Sequence, residues 1–438
     1  MLAAHRRAVP LALLAPILVI IALLGLRISS TIAAASTPEP ISSPALEIHL
    51  ITIGAGEHVL TSGGHSALMV AHLQDGHADP RRTIIYNFGD TDFEDPELPT
   101  RLLRGDADFR LVISGTLQEV VDDYGVRQGR DVWRQKLNLS PAQAQLLAKK
   151  LAINAQPENR TYRYHHHNAT CTTKIRDLLD EITQGALSRD LKGVPSVPST
   201  ARDMQPVLWR NHHLTAVAAD LFFGRIHDRT IDKYWALADP PHMMQNLQEV
   251  TLTGTGTSPR PLAEAPSALI QIIRADVVEM PSIATPLVSI LTMLLLGFGG
   301  RRAYRELPTK TLSAGLWLLL YPLVSGLIGA TIIGLMLFSE IPELRQNENV
   351  LVFPATDLLL VGFGALWCRG ALGSGHRRLL RIYALARMAL ITTVIGLHIA
   401  GVLLQRPLVF ISMSFLFSVA LLALLARADH TPAPQVGQ

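Results

Sequence analysis

Two cysteines, Cys171 and Cys368, stand in 438 residues. That scarcity excludes a disulfide framework and every zinc site built on cysteine pairs. No His-Glu-x-x-His motif is present either. Charged residues make up only 17% of the chain and aromatics 6%, and the formal net charge is +3. Such a balance draws no polyanion, so nucleic acid is excluded as a partner. Apolar residues fill the gap: the chain is 48% hydrophobic with a mean hydropathy of +0.26, too high for an ordinary soluble protein. The excess sits at the N-terminus and in the last third. Between about Ser36 and about Ala275 the composition is ordinary, and a segment of that size buries a core without disulfides.

Met1 to Arg7 is basic, and Val9 to Leu26 is apolar apart from Pro10 and Pro16. Residues 1–35 therefore read as a signal peptide or a signal-anchor helix. Ala33-Ala34-Ala35-Ser36 resembles a small-residue cleavage site, and 36–45 reads as a linker. Five more apolar runs follow at about 284–299, 311–338, 350–368, 383–404 and 407–427. Each is near or above the roughly 18–20 residues that cross a bilayer as a helix. They predict a five-helix transmembrane domain over 284–427 and a tail over 428–438.

Arg301, Arg302, Arg305 and Lys310 lie between the first and second runs, and Arg369, Arg377, Arg378 and Arg381 between the third and fourth. Basic loops face the cytoplasm, so the region before Ala284 is outside, and the basic N-terminus gives the same answer. The tail is then cytoplasmic, and Cys368 falls at the cytoplasmic end of its run. Cys171, outside, has no disulfide partner. Asp357 in the third run and Arg387 and His398 in the fourth are functional candidates by their depth. Asp357 is expected near the outer interface, and Arg387 near the inner end, where it can snorkel.

The extramembrane segment, 46–250, reads as strands followed by helices, an α+β domain. Leu46–Ile53 alternates, His65–Leu73 and Thr83–Phe88 flank the turn signal Asp75-Gly76, and Phe109–Ile113 is a further strand. Pro141–Asn154 is helical, capped by Ser140. After Cys171, the residues Ile175, Leu178, Leu179 and Ile182 fall on one helical face, and Gly185 is a plausible stop. The Gly/Thr/Pro-rich stretch from Thr251 reads as a linker over 251–283.

A thiol at a helix start meets unpaired N–H groups and the positive dipole end, which favour thiolate. Free amides there also receive an oxyanion. A nucleophilic cysteine needs a base, and His65, after Gly63-Gly64 at the start of a strand, is the best placed. If 65–73 and 83–88 form a hairpin, Asn87 faces His65 and orients it, with Tyr86 on the opposite face. Ser66, Thr170, Thr172 and Thr173 are candidate supports. His165, His166 and His167 carry no metal expectation, because three consecutive residues on a strand or helix cannot converge on one centre. No cofactor is expected.

Six blocks occur in order: Gly64-His65-Ser66; Tyr86 to Pro96; Leu102-Leu103-Arg104-Gly105; Trp133 to Ser140; Pro157 to Tyr164; and Cys171-Thr172-Thr173-Lys174-Ile175-Arg176-Asp177. Together they resemble the N-terminal periplasmic domain of the Lnb-type bacterial lipoprotein N-acyltransferases. The likeness covers most of 46–250, and the order of domain before membrane helices also fits. It implies a circularly permuted papain-like fold, Cys171 as nucleophile and His65 as base. It also implies a multi-pass protein of the bacterial inner membrane with its soluble domain in the periplasm. The family commonly has Asn before the cysteine and Arg three residues after it, where this chain has Thr170 and Lys174. The expected activity is a thiol acyltransferase working on membrane lipid or lipoprotein. A cysteine hydrolase with the same dyad, acting on a peptide or a cell-wall amide, and a non-enzymatic membrane scaffold are the alternatives.

Overall fold

A computed structural model of the chain describes residues 45–254, 257–272, 282–307, 309–405 and 408–429. The expected signal segment, the linker up to residue 44 and the tail from residue 430 lie outside the described residues. β1 (Leu46–Ile53) runs antiparallel to β2 (His65–Gln74), which turns into β3 (His77–Asp90). Asp75 and Gly76 adopt φ of 52° and 81°, the left-handed pair that a tight two-residue hairpin turn needs. β4 (Asp108–Ser114), β5 (Val132–Leu137) and β6 (Thr161–Arg163) extend the sheet. β7 (Pro195–Thr200) pairs with β8 (Thr230–Asp232), and β9 (Thr251–Gly254) with β10 (Thr257–Pro261). β11 (Ser267–Ile270) completes a seven-stranded antiparallel sheet in the order β11-β5-β1-β2-β3-β4-β6.

Both faces of this sheet are covered. Leu50, Leu68, Val70, Tyr86 and Phe88 point to one core, against helices α1 (Pro141–Asn154) and α2 (Cys171–Ile182). Ile51, Ile53, Ala67, Met69 and Ile85 point to the other, with Val120 and Val132. This is the period-2 alternation of strands buried on each side. Ile175, Leu179 and Ile182 are the buried stripe of α2, each contributing about 1.5–3 kcal/mol of apolar burial. Ser140 caps α1 as its composition predicts, with Gln143 returning a hydrogen bond to the Ser140 N–H.

Of the linker expected over 251–283, residues 255–256 and 273–281 lie outside the described residues, and much of the rest forms strands. Residues 251–261 hold the β9–β10 hairpin, and β11 pairs with the edge of β5, Ser267 opposite Arg134. Small and polar residues there read as linker, but an exposed edge strand leaves a row of backbone donors and acceptors unpaired, and β11 satisfies them.

Among the described residues, apart from a short helix at Pro342–Arg345, five helices follow: α3 (Ala284–Glu306), α4 (Leu312–Phe338), α5 (Leu358–Cys368), α6 (Ser374–Ile399) and α7 (Leu408–Asp429). Four are long and apolar enough to cross a membrane, and the protein is an integral, multi-pass membrane protein. The third expected span is not one straight helix. It is a pair, Pro342–Leu351 and Ala355–Cys368, bent by 50°. Pro354 lies in the break, where a missing N–H and a restricted preceding residue interrupt a helix. Arg387 does not snorkel. It is buried between α6 and α7, paired with the fully buried Asp357. Ser325 and Tyr383 donate to the same carboxylate at 2.5 and 2.6 Å, and Ser414 accepts from Arg387 at 2.8 Å. A buried ion pair with this many partners keeps both charges inside the helices.

The α+β domain docks on one end of the helices. Gly224 N–H donates to Glu343 O at 2.7 Å, Arg225 N–H to Gln346 O at 2.9 Å, and Glu340 N–H to Arg104 O at 2.7 Å. Asn347 and Asn349 donate to Leu221 O at 2.7 and 3.0 Å. All these partners lie in the loop after α4. The arginine-rich loops after α3 and α5 leave the opposite helix ends, where Arg377 pairs with Asp429 at 2.9 Å.

Candidate active site

The site begins at the register of β1 and β2, where Ile53 stands opposite His65. The turn before it brings backbones into contact: Gly64 has φ +85°, and a Cβ there would lie 2.7 Å from Ile53 O. Only glycine meets both demands. Leu68 pairs with Tyr86 in the hairpin, so the start of β2 faces the end of β3. His65 Nε2 donates to Asn87 Oδ1. The Asn87 amide nitrogen donates to Ser114 Oγ at 3.1 Å and Tyr124 Oη at 3.5 Å, which keeps its carbonyl oxygen toward the imidazole. With Nε2 protonated in the neutral ring, Nδ1 is left as the basic nitrogen. Tyr124 stacks on the imidazole, ring centroids 6.3 Å apart. Tyr86 points into the core on the opposite face.

Cys171 is the first residue of α2. Thr170 is the cap: its hydroxyl accepts from Thr173 N–H at 3.2 Å, and Thr173 Oγ1 accepts from Thr170 N–H at 2.7 Å. Threonine thus caps the helix in place of the asparagine common at this position of the resembled family. Thr172 and Thr173 are fully buried, and Thr172 Oγ1 lies 3.5 Å from the sulfur. Burial pushes the Cys171 thiol up. The charge of His65 and a hydrogen bond with it, the Thr172 hydroxyl and the Ser66 backbone N–H outweigh burial and bring the thiol down to about 7. The partner moves the other way. Burial pushes His65 down, but the Cys171 charge and hydrogen bonds to Cys171 and Asn87 raise it above the ordinary histidine value. The pair stabilises thiolate and imidazolium together.

The structure therefore brings together Cys171, His65 and Asn87, with Ser66, Thr170, Thr172 and Thr173 around the sulfur. Three further contributors are not among the expected site residues. Gly89, φ +100°, lies beneath the pair: a Cβ there would sit 3.6 Å from both the Cys171 Cβ and the His65 Cε1. Arg130 is buried, with Nε on Gly54 O at 2.8 Å and its guanidinium over the Tyr124 ring at 5.2 Å. Its Nη2 has no hydrogen-bond partner among the described residues, and its charge reaches Cys171 and His65. Tyr162 has a buried hydroxyl with no partner among the described residues, held protonated by burial and by the Cys171 charge. Lys174 lies over that ring at 4.8 Å. Gly89 and Tyr162 lie in the blocks Tyr86–Pro96 and Pro157–Tyr164, but local pattern gives none of the three a role, because each reaches the site through a different strand or loop.

These features define a multi-pass membrane protein whose α+β domain presents a cysteine, a histidine and an asparagine at one sheet end. Residues 44–212 match the Lnb N-terminal periplasmic domain, and the apolar helices that follow it fit an integral membrane protein. No curated protein and no solved structure gives a significant match to the chain.

Proposed function

We propose that this protein is a thiol acyltransferase of the bacterial inner membrane, its domain a circularly permuted papain-like fold facing the periplasm. The order of a histidine strand before a cysteine helix supports that fold. The observation that carries the reaction is the placing of Cys171 beside His65, itself hydrogen-bonded to Asn87, on a domain fastened to the loop after α4. His65 takes the Cys171 proton, and the sulfur attacks the carbonyl of an acyl ester at the membrane surface. The amides of the first α2 turn receive the oxyanion. As the tetrahedral intermediate collapses, the C–O bond breaks and His65 returns the proton to the departing alcohol. The acyl group is left as a thioester on Cys171. An amine, in this reading a lipoprotein N-terminus, attacks that thioester and yields its proton to His65. The amide forms, and the thiolate leaves and regains a proton. No cofactor takes part.

Intact-mass analysis of the full chain incubated with phospholipid vesicles tests this. An acyl mass on the protein, absent in Cys171→Ala and chased onto an added lipopeptide amine, is the expected result. Acyl transfer that persists in Cys171→Ala sinks the reading. A labelled thioester that passes only to water makes the site a hydrolase.

A further inference from the structure

The histidine run before the nucleophile is not on a strand or a helix. His165 bridges to Ala169 across a tight turn between β6 and α2. Successive side chains in a turn are free to converge, so the periodicity argument against a shared centre does not apply. His166, His167 and His227 each offer a ring nitrogen within 4.8 Å of the other two. His167 Nε2 faces His227 Nε2 at 2.9 Å. The second trio, His165, His166 and Glu343, meets the same distance limit. Glu343 comes from the loop after α4 and lies 3.5 Å from His165 Nε2 and 3.9 Å from His166 Nε2. One side of the cluster is sealed: His227 is 2% exposed and Glu343 5%, while the His166 side chain is 21% exposed.

Its polar atoms are under-satisfied. His166 Nε2, His227 Nδ1 and Glu343 Oε2 are buried with no hydrogen-bond partner among the described residues. A buried carboxylate and several converging imidazole lone pairs are costly without a cation or protons to share. Neutral imidazoles are the form that binds a metal.

We propose that His166, His167 and His227 bind one divalent transition-metal ion of the zinc class, with Glu343 supplying negative charge beside it. Nitrogens on one tetrahedral zinc, at bonds of about 2.0–2.1 Å, lie about 3.3 Å apart. His167 and His227 reach that by opening slightly from 2.9 Å, and His166 by a shift from within 4.8 Å. The role is positional. His167 precedes Cys171 by four residues, and the Arg225–Asp228 turn that carries His227 is hydrogen-bonded to the loop holding Glu343. The ion pins the turn leading into the nucleophile helix to the membrane domain. It takes no step in the acyl chemistry and stands whether or not that chemistry is correct.

The test is metal binding by the full chain in detergent, stripped with chelator and titrated with Co²⁺ and then Zn²⁺. The expected result is about one equivalent, with the Co²⁺ absorption of a four-coordinate site. His167→Ala and His227→Ala are expected to weaken binding at least about tenfold, the surface control His213→Ala to leave it unchanged, and Glu343→Gln to weaken it less. Binding that survives His227→Ala but is lost in His165→Ala overturns the assignment. So does uptake by the wild type no greater than by the His167→Ala/His227→Ala variant. If those variants fail to fold, the wild type decides: a thermal midpoint raised by Zn²⁺ and lowered by chelator supports the site, and one that neither moves overturns it.

Discussion

Asn87 holds the His65 imidazole from the end of the neighbouring strand, its carbonyl oxygen accepting from Nε2 while its amide nitrogen is spent on Ser114 and Tyr124. Turning the amide over would set its nitrogen against Nε2 and give up both hydrogen bonds it donates, so the ring keeps its Nδ1 free. Asn87→Ala removes the orienting group and leaves the thiol in place. Thioester formation is expected to slow by about 10- to 100-fold, the scale of a misaimed reacting group. Rapid-quench mass analysis measures it, and an unchanged rate removes Asn87 from the site.

The lowered thiol sets a pH dependence. With Cys171 at about 7, alkylation by iodoacetamide rises as pH rises through about 7 and is slow below it. His65 is the largest downward influence, and burial opposes it. In His65→Ala only burial and the weaker hydrogen bonds remain, so the midpoint moves up. A profile unmoved by this substitution contradicts the pairing.

Gly64 and Gly89 separate two kinds of constraint. Both have positive φ, which costs roughly 1–3 kcal/mol in any other residue. An added Cβ at Gly89 meets ordinary contacts at 3.6 Å, whereas at Gly64 it meets the Ile53 carbonyl at 2.7 Å. Gly64→Ala is therefore expected to destabilise more than Gly89→Ala. Thermal unfolding of the detergent-solubilised protein reads the order directly.

Inside the helices, Arg387→Leu strands the Asp357 carboxylate, and Asp357→Leu strands the guanidinium. Each single substitution is expected to cost about 3–5 kcal/mol, and the paired Arg387→Leu/Asp357→Leu variant less than their sum. A double-mutant cycle on unfolding in detergent measures the coupling. Additive losses mean the two charges are stabilised separately.

The chain alone carried much of this. Apolar runs marked the membrane helices among the described residues, and arginine-rich loops their expected direction, because burial in lipid and charge retention act locally. Glycines, a turn pair and helix spacing marked β2, β3 and α2, and the hairpin placed Asn87 opposite His65. Tertiary structure decided the rest. The bend at Pro354, the pairing of Asp357 with Arg387 and the strand at Ser267–Ile270 depend on neighbours distant in sequence. Arg130, Gly89 and Tyr162 enter the site only because the sheet and α2 meet at one end. The histidine run converges because it lies in a turn, and a period-based argument holds only for residues on regular elements. Local pattern records which residues want to be buried or turned, whereas a site is a juxtaposition of residues far apart in the chain that only folding makes.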